Sequence, residues 1–223
     1  MNIFGLSLKG VRFGLGMLVL ILAALPVASD AAEWVRARWV ADGDTIILQD
    51  RRHVRYIGID TPEIDHKNNH AAPFGIEALS RNRQLVEGWR LRLVFDREKK
   101  DRYGRTLAYV YRSDGLFVNA ELLKEGLAYV LYRFPNGRRA KTLLSAQREA
   151  MEKHVGIWQL VNKNETPVHA YLGNRRSKRF HIHGCSMGKK MADKNRVWLK
   201  NQWTAFFAGY APAKDCIPFP GDK

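Results

Sequence analysis

The chain has 223 residues, 46% of them hydrophobic, with two cysteines, a formal net charge of +15 and a pI near 10.0. That length allows one sizeable core plus a small module, and the apolar content excludes a disordered polymer. The cationic excess favours a polyanionic partner, nucleic acid before an anionic membrane, although charge alone does not choose between them.

Lys9 and Arg12 precede an apolar run from Phe13 to Val27, and small residues follow in Ala28-Ser29-Asp30-Ala31-Ala32. This is the charge, apolar, small-residue order of a secretory signal peptide. The run is shorter than the roughly 20 residues of a membrane span. Residues 1–31 are therefore expected to be an export signal, cleaved after Ser29 or Ala31, for a periplasmic or secreted protein. The other reading is an uncleaved anchor that tethers the same domain to the membrane outside the cytoplasm.

Residues 33–158 read as the main domain. Trp34 to Val40 has strand character and leads into the turn Asp42-Gly43-Asp44. Ile46, Ile47 and Leu48 form an apolar run, Asp50-Arg51 offers a turn, and Val54 to Ile59 returns, so the spacing predicts a β-hairpin. A hairpin brings its open ends together, which sets Asp44 beside Asp60. Two carboxylates and a carbonyl converging at one point suit a hard cation such as Ca²⁺. Glu63 follows closely enough to act on a water near that ion. Taken singly, each acid also reads as part of a polar turn or solvated loop.

The stretch Ile64 to Pro73 is polar, with His66, Lys67, Asn68, Asn69 and His70, and is expected to be an exposed loop or a flap over substrate. Gly75 to Glu87 predicts a helix whose apolar face is Ile76, Leu79 and Val86, with Gly88 as the stop. Trp89 to Phe95 alternates as a half-buried strand, Asp101 to Arg105 is a turn, and Thr106 to Tyr111 is a further strand. Asn119 is expected to cap a short helix ending at Gly126, and Arg138 to Lys153 to form a longer one. Three strands, a helix and two strands is the order of an OB-fold, a five-stranded, partly open barrel. The expected class is α+β: an OB-fold barrel with helices, followed by a small carboxy-terminal α/β module.

The stretch from Val40 to Glu63, with Asp101-Arg102-Tyr103-Gly104-Arg105-Thr106-Leu107-Ala108-Tyr109 and the closing Gly156-Ile157-Trp158, resembles the staphylococcal nuclease (thermonuclease) family. The similarity covers about residues 34–158. It implies a calcium-dependent phosphodiesterase acting on DNA and RNA, with products ending in 3′-phosphate. By that resemblance Asp44 and Asp60 are calcium carboxylates and Thr61 gives a backbone carbonyl. Arg55, Glu63 and Arg105 match the catalytic trio. Asp42 matches an outer acidic position, and Tyr103 and Tyr132 are expected near the ion's surroundings or the substrate. Phe134 stands where the best-known member also has an aromatic residue.

The chemistry agrees. Attack on a phosphodiester concentrates negative charge on the phosphoryl oxygens, and Ca²⁺ with two guanidinium forks would meet it. Arg55 also reads as a surface strand arginine, and Arg105 as a turn arginine paired with Asp101. The competing reading for the domain is a non-catalytic OB-fold nucleic-acid-binding protein of the cell envelope.

Residues 159–167 are polar and turn-rich and read as a linker to a module at 168–223. There Ala170 to Asn174 and Arg179 to His183 suggest a small hairpin, and Asn201 a cap for a helix from Gln202 to Ala208. The pattern Tyr171-Leu172-Gly173-Asn174, Ser177 to His181, Cys185, Asn195-Arg196-Val197, Gly209 to Pro212 and Cys216 resembles the small zinc-binding module of the Ada DNA-repair protein. Ala213 stands where that family has a further cysteine. Two readings stay open: a disulfide between Cys185 and Cys216, preferred in an oxidising compartment, or Zn²⁺ held by both with His181 or His183. The cluster Arg175-Arg176-Ser177-Lys178-Arg179, near Trp198 and Trp203, reads either as a basic surface for nucleic acid or as a solvated face over a small core. No obligate protein partner is inferred, and membrane contact is expected only with an uncleaved amino terminus.

Overall fold

The structure is a computed structural model and describes residues Met1, 32–65, Asn68 and 70–217. The expected export signal and the loop residues His66, Lys67 and Asn69 lie outside the described residues. In chain order the strands and helices are β1 (Ala32–Val35), β2 (Ala37–Asp42), β3 (Thr45–Leu48), β4 (His53–Tyr56), β5 (Ile59–Asp60), β6 (Ile64–Asp65), β7 (His70–Ala71), α1 (Gly75–Val86), β8 (Leu91–Val94), β9 (Thr106–Arg112), α2 (Val118–Lys124), β10 (Tyr129–Val130) and α3 (Ala140–Glu152). A short 3₁₀ turn at Gly156–Leu160 precedes β11 (Tyr171–Asn174), β12 (Arg179–His181), α4 (Ser186–Lys189), β13 (Arg196–Leu199), α5 (Gln202–Phe207) and β14 (Ala211–Pro212). No helix among the described residues is long and apolar enough to cross a membrane.

The class is mixed α+β, with sheets and helices interleaved along the chain. The main sheet runs β1-β8-β9-β4-β3-β2. β1 and β2 are one extended segment broken only at Arg36, yet they occupy opposite edges: β1 pairs with β8 and β2 with β3. β4 and β9 pair in parallel, setting Arg55 opposite Leu107.

The hairpin differs from its sequence reading in one respect. β4 stops at Tyr56, and Ile59-Asp60 leaves it to pair with β10, Asp60 opposite Tyr129. The turn runs through Gly58, whose φ of +82° suits a residue without Cβ. A Cβ there would also lie 2.5 Å from Leu143 Cδ1. Asp60 therefore reaches Asp44 around a corner and not across a hairpin mouth.

Two helix expectations are corrected in part. On α1, Val86 is buried and Leu79 packs against the core as expected, but Ile76 is 56% exposed, and Ala78, Leu85 and Asn82 are buried on the core face. Asn82 is tolerated there because it accepts the Tyr56 hydroxyl at 2.8 Å and donates to the Asp42 carbonyl at 2.9 Å. Asn119 caps nothing. It is fully buried inside α2, accepts from the Val110 amide at 2.9 Å and donates to the Ile57 carbonyl at 2.9 Å, tying the helix to β9 and to the turn before Asp60.

The carboxy-terminal sheet runs β13-β11-β12-β14. The expected pairing of the segments around Tyr171 and Phe180 is present as the antiparallel β11–β12 pair. Asn201 caps α5 through Oδ1, which accepts from the Thr204 amide at 2.8 Å. Trp203 is buried while Trp198 is 64% exposed. This sheet does not have a core to itself. Phe206 meets Tyr129, Trp158 and Phe180 edge-to-face at centroid distances of 5.8, 5.2 and 5.3 Å, so one cluster holds side chains from both halves of the chain. The buried Gln147 on α3 locks the junction, donating to the Phe206 carbonyl and accepting from the Val130 amide, both at 2.6 Å.

Candidate active site

The acidic turn is shaped by close packing. A Cβ on Gly43 would lie 2.8 Å from both Ala78 Cβ and Thr61 Oγ1, so only glycine lets the turn lie this near α1 and Thr61. Asp44 follows, 4% exposed, and accepts from the Thr45 hydroxyl at 2.9 Å and from the Thr61 amide and hydroxyl at 3.1 and 3.3 Å. Asp60, 6% exposed, accepts from the Tyr129 hydroxyl at 2.6 Å. The Arg55 guanidinium pairs with both carboxylates at once, one nitrogen to each. Asp44 and Asp60 thus converge on a single small volume. Their oxygens, with the backbone beside Thr61, are the hard donors that Ca²⁺ takes.

The two acids differ in charge preference. Burial pushes Asp44 up to about 6, outweighing the attraction of Arg55. Burial also acts on Asp60, but there Arg55 and Lys214 outweigh it and hold the carboxyl below its ordinary range. Burial and Asp60 push Tyr129 well above its ordinary value, so its hydroxyl remains a donor. Burial opposes the charge on Arg55, yet Asp44 and Asp60 more than offset it.

Glu63 stands at the rim, its side chain 62% exposed, and pairs with Lys214. The Lys214 ammonium is also 3.1 Å from Asp60 Oδ2. Arg105 pairs with Asp101 through Nε at 2.7 Å, and its guanidinium carbon lies 5.6 Å from the Tyr103 ring centre. Asp42 bonds its own turn, accepting from the Gly43 amide at 2.8 Å. All of these charged residues, together with Tyr103, line one cleft of about 900 Å³.

Tyr132 is set apart. It lines a smaller adjoining cleft of about 430 Å³ with Phe134. The Thr61 contacts seen here are its amide and hydroxyl on Asp44.

Cys185 and Cys216 are joined by a disulfide, with their Cα atoms 6.1 Å apart. His181 Nδ1 lies 3.3 Å from Cys216 Sγ and 3.5 Å from Cys185 Sγ. This is a grouping of metal-type ligands, but sulfurs bonded to each other are not the thiolates that zinc takes. Of the two readings left open, the structure has the preferred disulfide, and the zinc alternative is set aside.

Residues of the carboxy-terminal part also line the main cleft: Asn174 and Arg179 from its sheet, Ser177 from the turn between them, Met187 from α4 and Lys214 after β14. Sequence reasoning assigned no site role to Lys214 or to Tyr129. Tyr129 lies in an apolar run and Lys214 near a cysteine, and no local pattern marks either one.

Comparison with known proteins finds relatives among nucleases. The family described as staphylococcal nuclease homologue matches residues 53–160. Thermonuclease of Staphylococcus intermedius is 45% identical over 124 residues, 54% of this chain and 73% of that protein. Thermonuclease of Staphylococcus hyicus is 39% identical over 122 residues, 53% of this chain and 72% of that protein. Endonuclease YncB of Bacillus subtilis (strain 168) is 43% identical over 122 residues, 52% of this chain and 57% of that protein.

Proposed function

Since this chain belongs to the staphylococcal nuclease family and is a nuclease, we propose that it hydrolyses phosphodiester bonds of DNA and RNA in a calcium-dependent reaction that leaves 3′-phosphate ends. The observation that carries this reading is the convergence of Asp44 and Asp60 on Arg55, in one cleft with Glu63 and Arg105. The calcium set is Asp44, Asp60 and the Thr61 carbonyl, and when bound the ion supplies positive charge against the phosphoryl oxygens.

The chain's own residues do the rest. Asp42 adds an outer acid beside this set. Arg55, already placed between two carboxylates, turns a guanidinium edge toward the scissile phosphate, and Arg105 approaches the same phosphate from the turn before β9. Two planar forks bind its oxygens as charge builds in the transition state. Glu63, exposed at the rim, orients the attacking water and takes its proton. Tyr129 holds Asp60 by a hydroxyl bond that does not titrate away. Tyr103 and Tyr132 border the path of the strand.

The sheet is read as a partly open OB barrel because β1 and β2, parts of one segment, sit on its two edges. Residues 33–158 are the nuclease domain, 159–167 a connector and 168–223 an accessory module related to that of Ada, with its two cysteines committed to a disulfide. A disulfide fits export to an oxidising compartment, periplasmic or extracellular.

The test is cleavage of DNA and RNA with Ca²⁺ or a chelator, beside Glu63→Gln. The expected result is calcium-dependent fragments with 3′-phosphate ends and a loss of roughly 10²- to 10⁴-fold in kcat for the mutant. Unchanged turnover by the mutant would remove Glu63 from the mechanism. Binding without cleavage under every metal condition would sink the catalytic assignment of this cleft.

A further inference from the structure

The two clefts meet at a strip of residues lining both: Glu98 and Arg133 from the nuclease half, and Asn174, Ser177 and Arg179 from the carboxy-terminal sheet. Arg176 lines the smaller cleft only. The turn between β11 and β12 is built to present these cations. The Asn174 side chain accepts from the Arg176 amide at 2.9 Å and the Ser177 amide at 3.2 Å, which fixes the turn. Arg179 is half-buried and anchored through Nη1, which donates to the carbonyls of Tyr132 at 3.2 Å and Ser177 at 3.4 Å.

What these guanidiniums lack is an acid. Among the described residues neither Arg133 nor Arg179 has a carboxylate within ion-pair distance, and the exposed Glu98 pairs with neither. Burial depresses Arg179, and the charge of Arg133 depresses it further, with only partial relief from Asp60. A half-buried guanidinium with a second positive charge nearby is costly until an anion meets it. Both arginines also line the cleft of Arg55 and Glu63.

We propose that Arg133, Arg176 and Arg179 form a second phosphate-binding subsite, shared between the nuclease domain and the carboxy-terminal module, that takes the phosphodiester neighbouring the scissile one on the same strand. This rests on the nuclease reading above and extends it: the module is part of the substrate groove and grips the nucleic-acid backbone without reading bases. Arg179 gives bidentate, oriented contact from the module side, and Arg133 closes on the same phosphate from the nuclease side.

The experiment measures binding apart from turnover. A fluorescently labelled thymidine tetranucleotide is titrated by anisotropy into Glu63→Gln protein in calcium buffer, with and without Arg133→Ala. Arg133 is exposed, so this substitution leaves folding intact. Arg179→Gln is the second variant. The Kd is expected to rise about 10- to 100-fold when both arginines are replaced. The slope of log Kd against log salt should fall by about one for each phosphate that is no longer neutralised. Unchanged affinity and salt slope in both single variants overturn the subsite, as does an absence of measurable binding by the Glu63→Gln protein. Cleavage by protein with Glu63 intact reports separately on the nuclease reading, so a failure of either is told from a failure of the other.

Discussion

The two walls of the main cleft are built in different ways. On the nuclease wall Asp44, Arg55, Asp60 and Glu63 come from one short stretch, and sheet register locks them: Thr45 opposite Arg55, Asp60 opposite Tyr129. On the other wall Lys214 reaches Glu63 from 151 positions further along the chain. That wall is held by a shared aromatic core and by the Cys185–Cys216 bridge, which closes next to Lys214. Chemistry on the first wall depends on hydrogen-bonded backbone. Geometry on the second depends on how two halves of the chain pack. Damage to the first should strike kcat, and damage to the second should strike stability and substrate binding.

The largest effect should come from Phe206→Ala. Its ring is fully buried at the junction, so its loss is expected to cost about 3–5 kcal/mol, read by urea denaturation. If the halves share one core, fluorescence and circular dichroism should report a single coincident transition. Two separated transitions would break the picture of a shared junction.

Arg55→Lys addresses the first wall. An ammonium does not reproduce a guanidinium that spans Asp44 and Asp60, and kcat should fall about 10²- to 10³-fold. Near-normal turnover would mean that charge at this point suffices without the fork.

Cys185→Ser with Cys216→Ser addresses the second wall. Stability should drop by about 2–4 kcal/mol, with KM for oligonucleotides rising before kcat changes. An equal fall in kcat would mean that the module wall takes part in the chemical step.

The smallest effect is one of pH. With Asp44 pushed up to about 6 by burial, protons compete with Ca²⁺ below that pH. Calcium affinity, followed by isothermal titration calorimetry, should then weaken about tenfold per pH unit on acidification. In the metal-free protein the sign reverses. A raised folded-state value favours folding at low pH, and that contribution is lost as pH rises through about 6. Calcium affinity that stays flat as pH is taken from one side of that value to the other would show that Asp44 is ionised throughout.

Much of the nuclease wall was legible in the chain itself. Alternation and turn residues marked β3, β4 and β9, and the acids and arginines stood at their ends. The turn at Gly58 was not legible, because the run from Val54 to Ile59 looks the same whether it continues or bends. On α1, Val86 and Leu79 face the core as the spacing predicts, but Ile76 does not and Asn82 does, for a related reason. Periodicity counts apolar residues, whereas Asn82 is buried by partners 26 and 40 positions away that satisfy its amide. Asn119 resembles a cap locally, yet it bonds Ile57, 62 positions distant.

By itself, the sequence determined which residue types meet within a few positions of one another: the acidic turn, the paired arginines, the capped α5. Spacing along an element decides those neighbours, and element geometry is nearly constant. Only the tertiary structure decided that Tyr129 holds Asp60, that Lys214 pairs with Glu63, and that Arg133 and Arg179 line the same clefts. Such meetings depend on how buried surfaces fit together, a property of the packed whole that no local pattern carries.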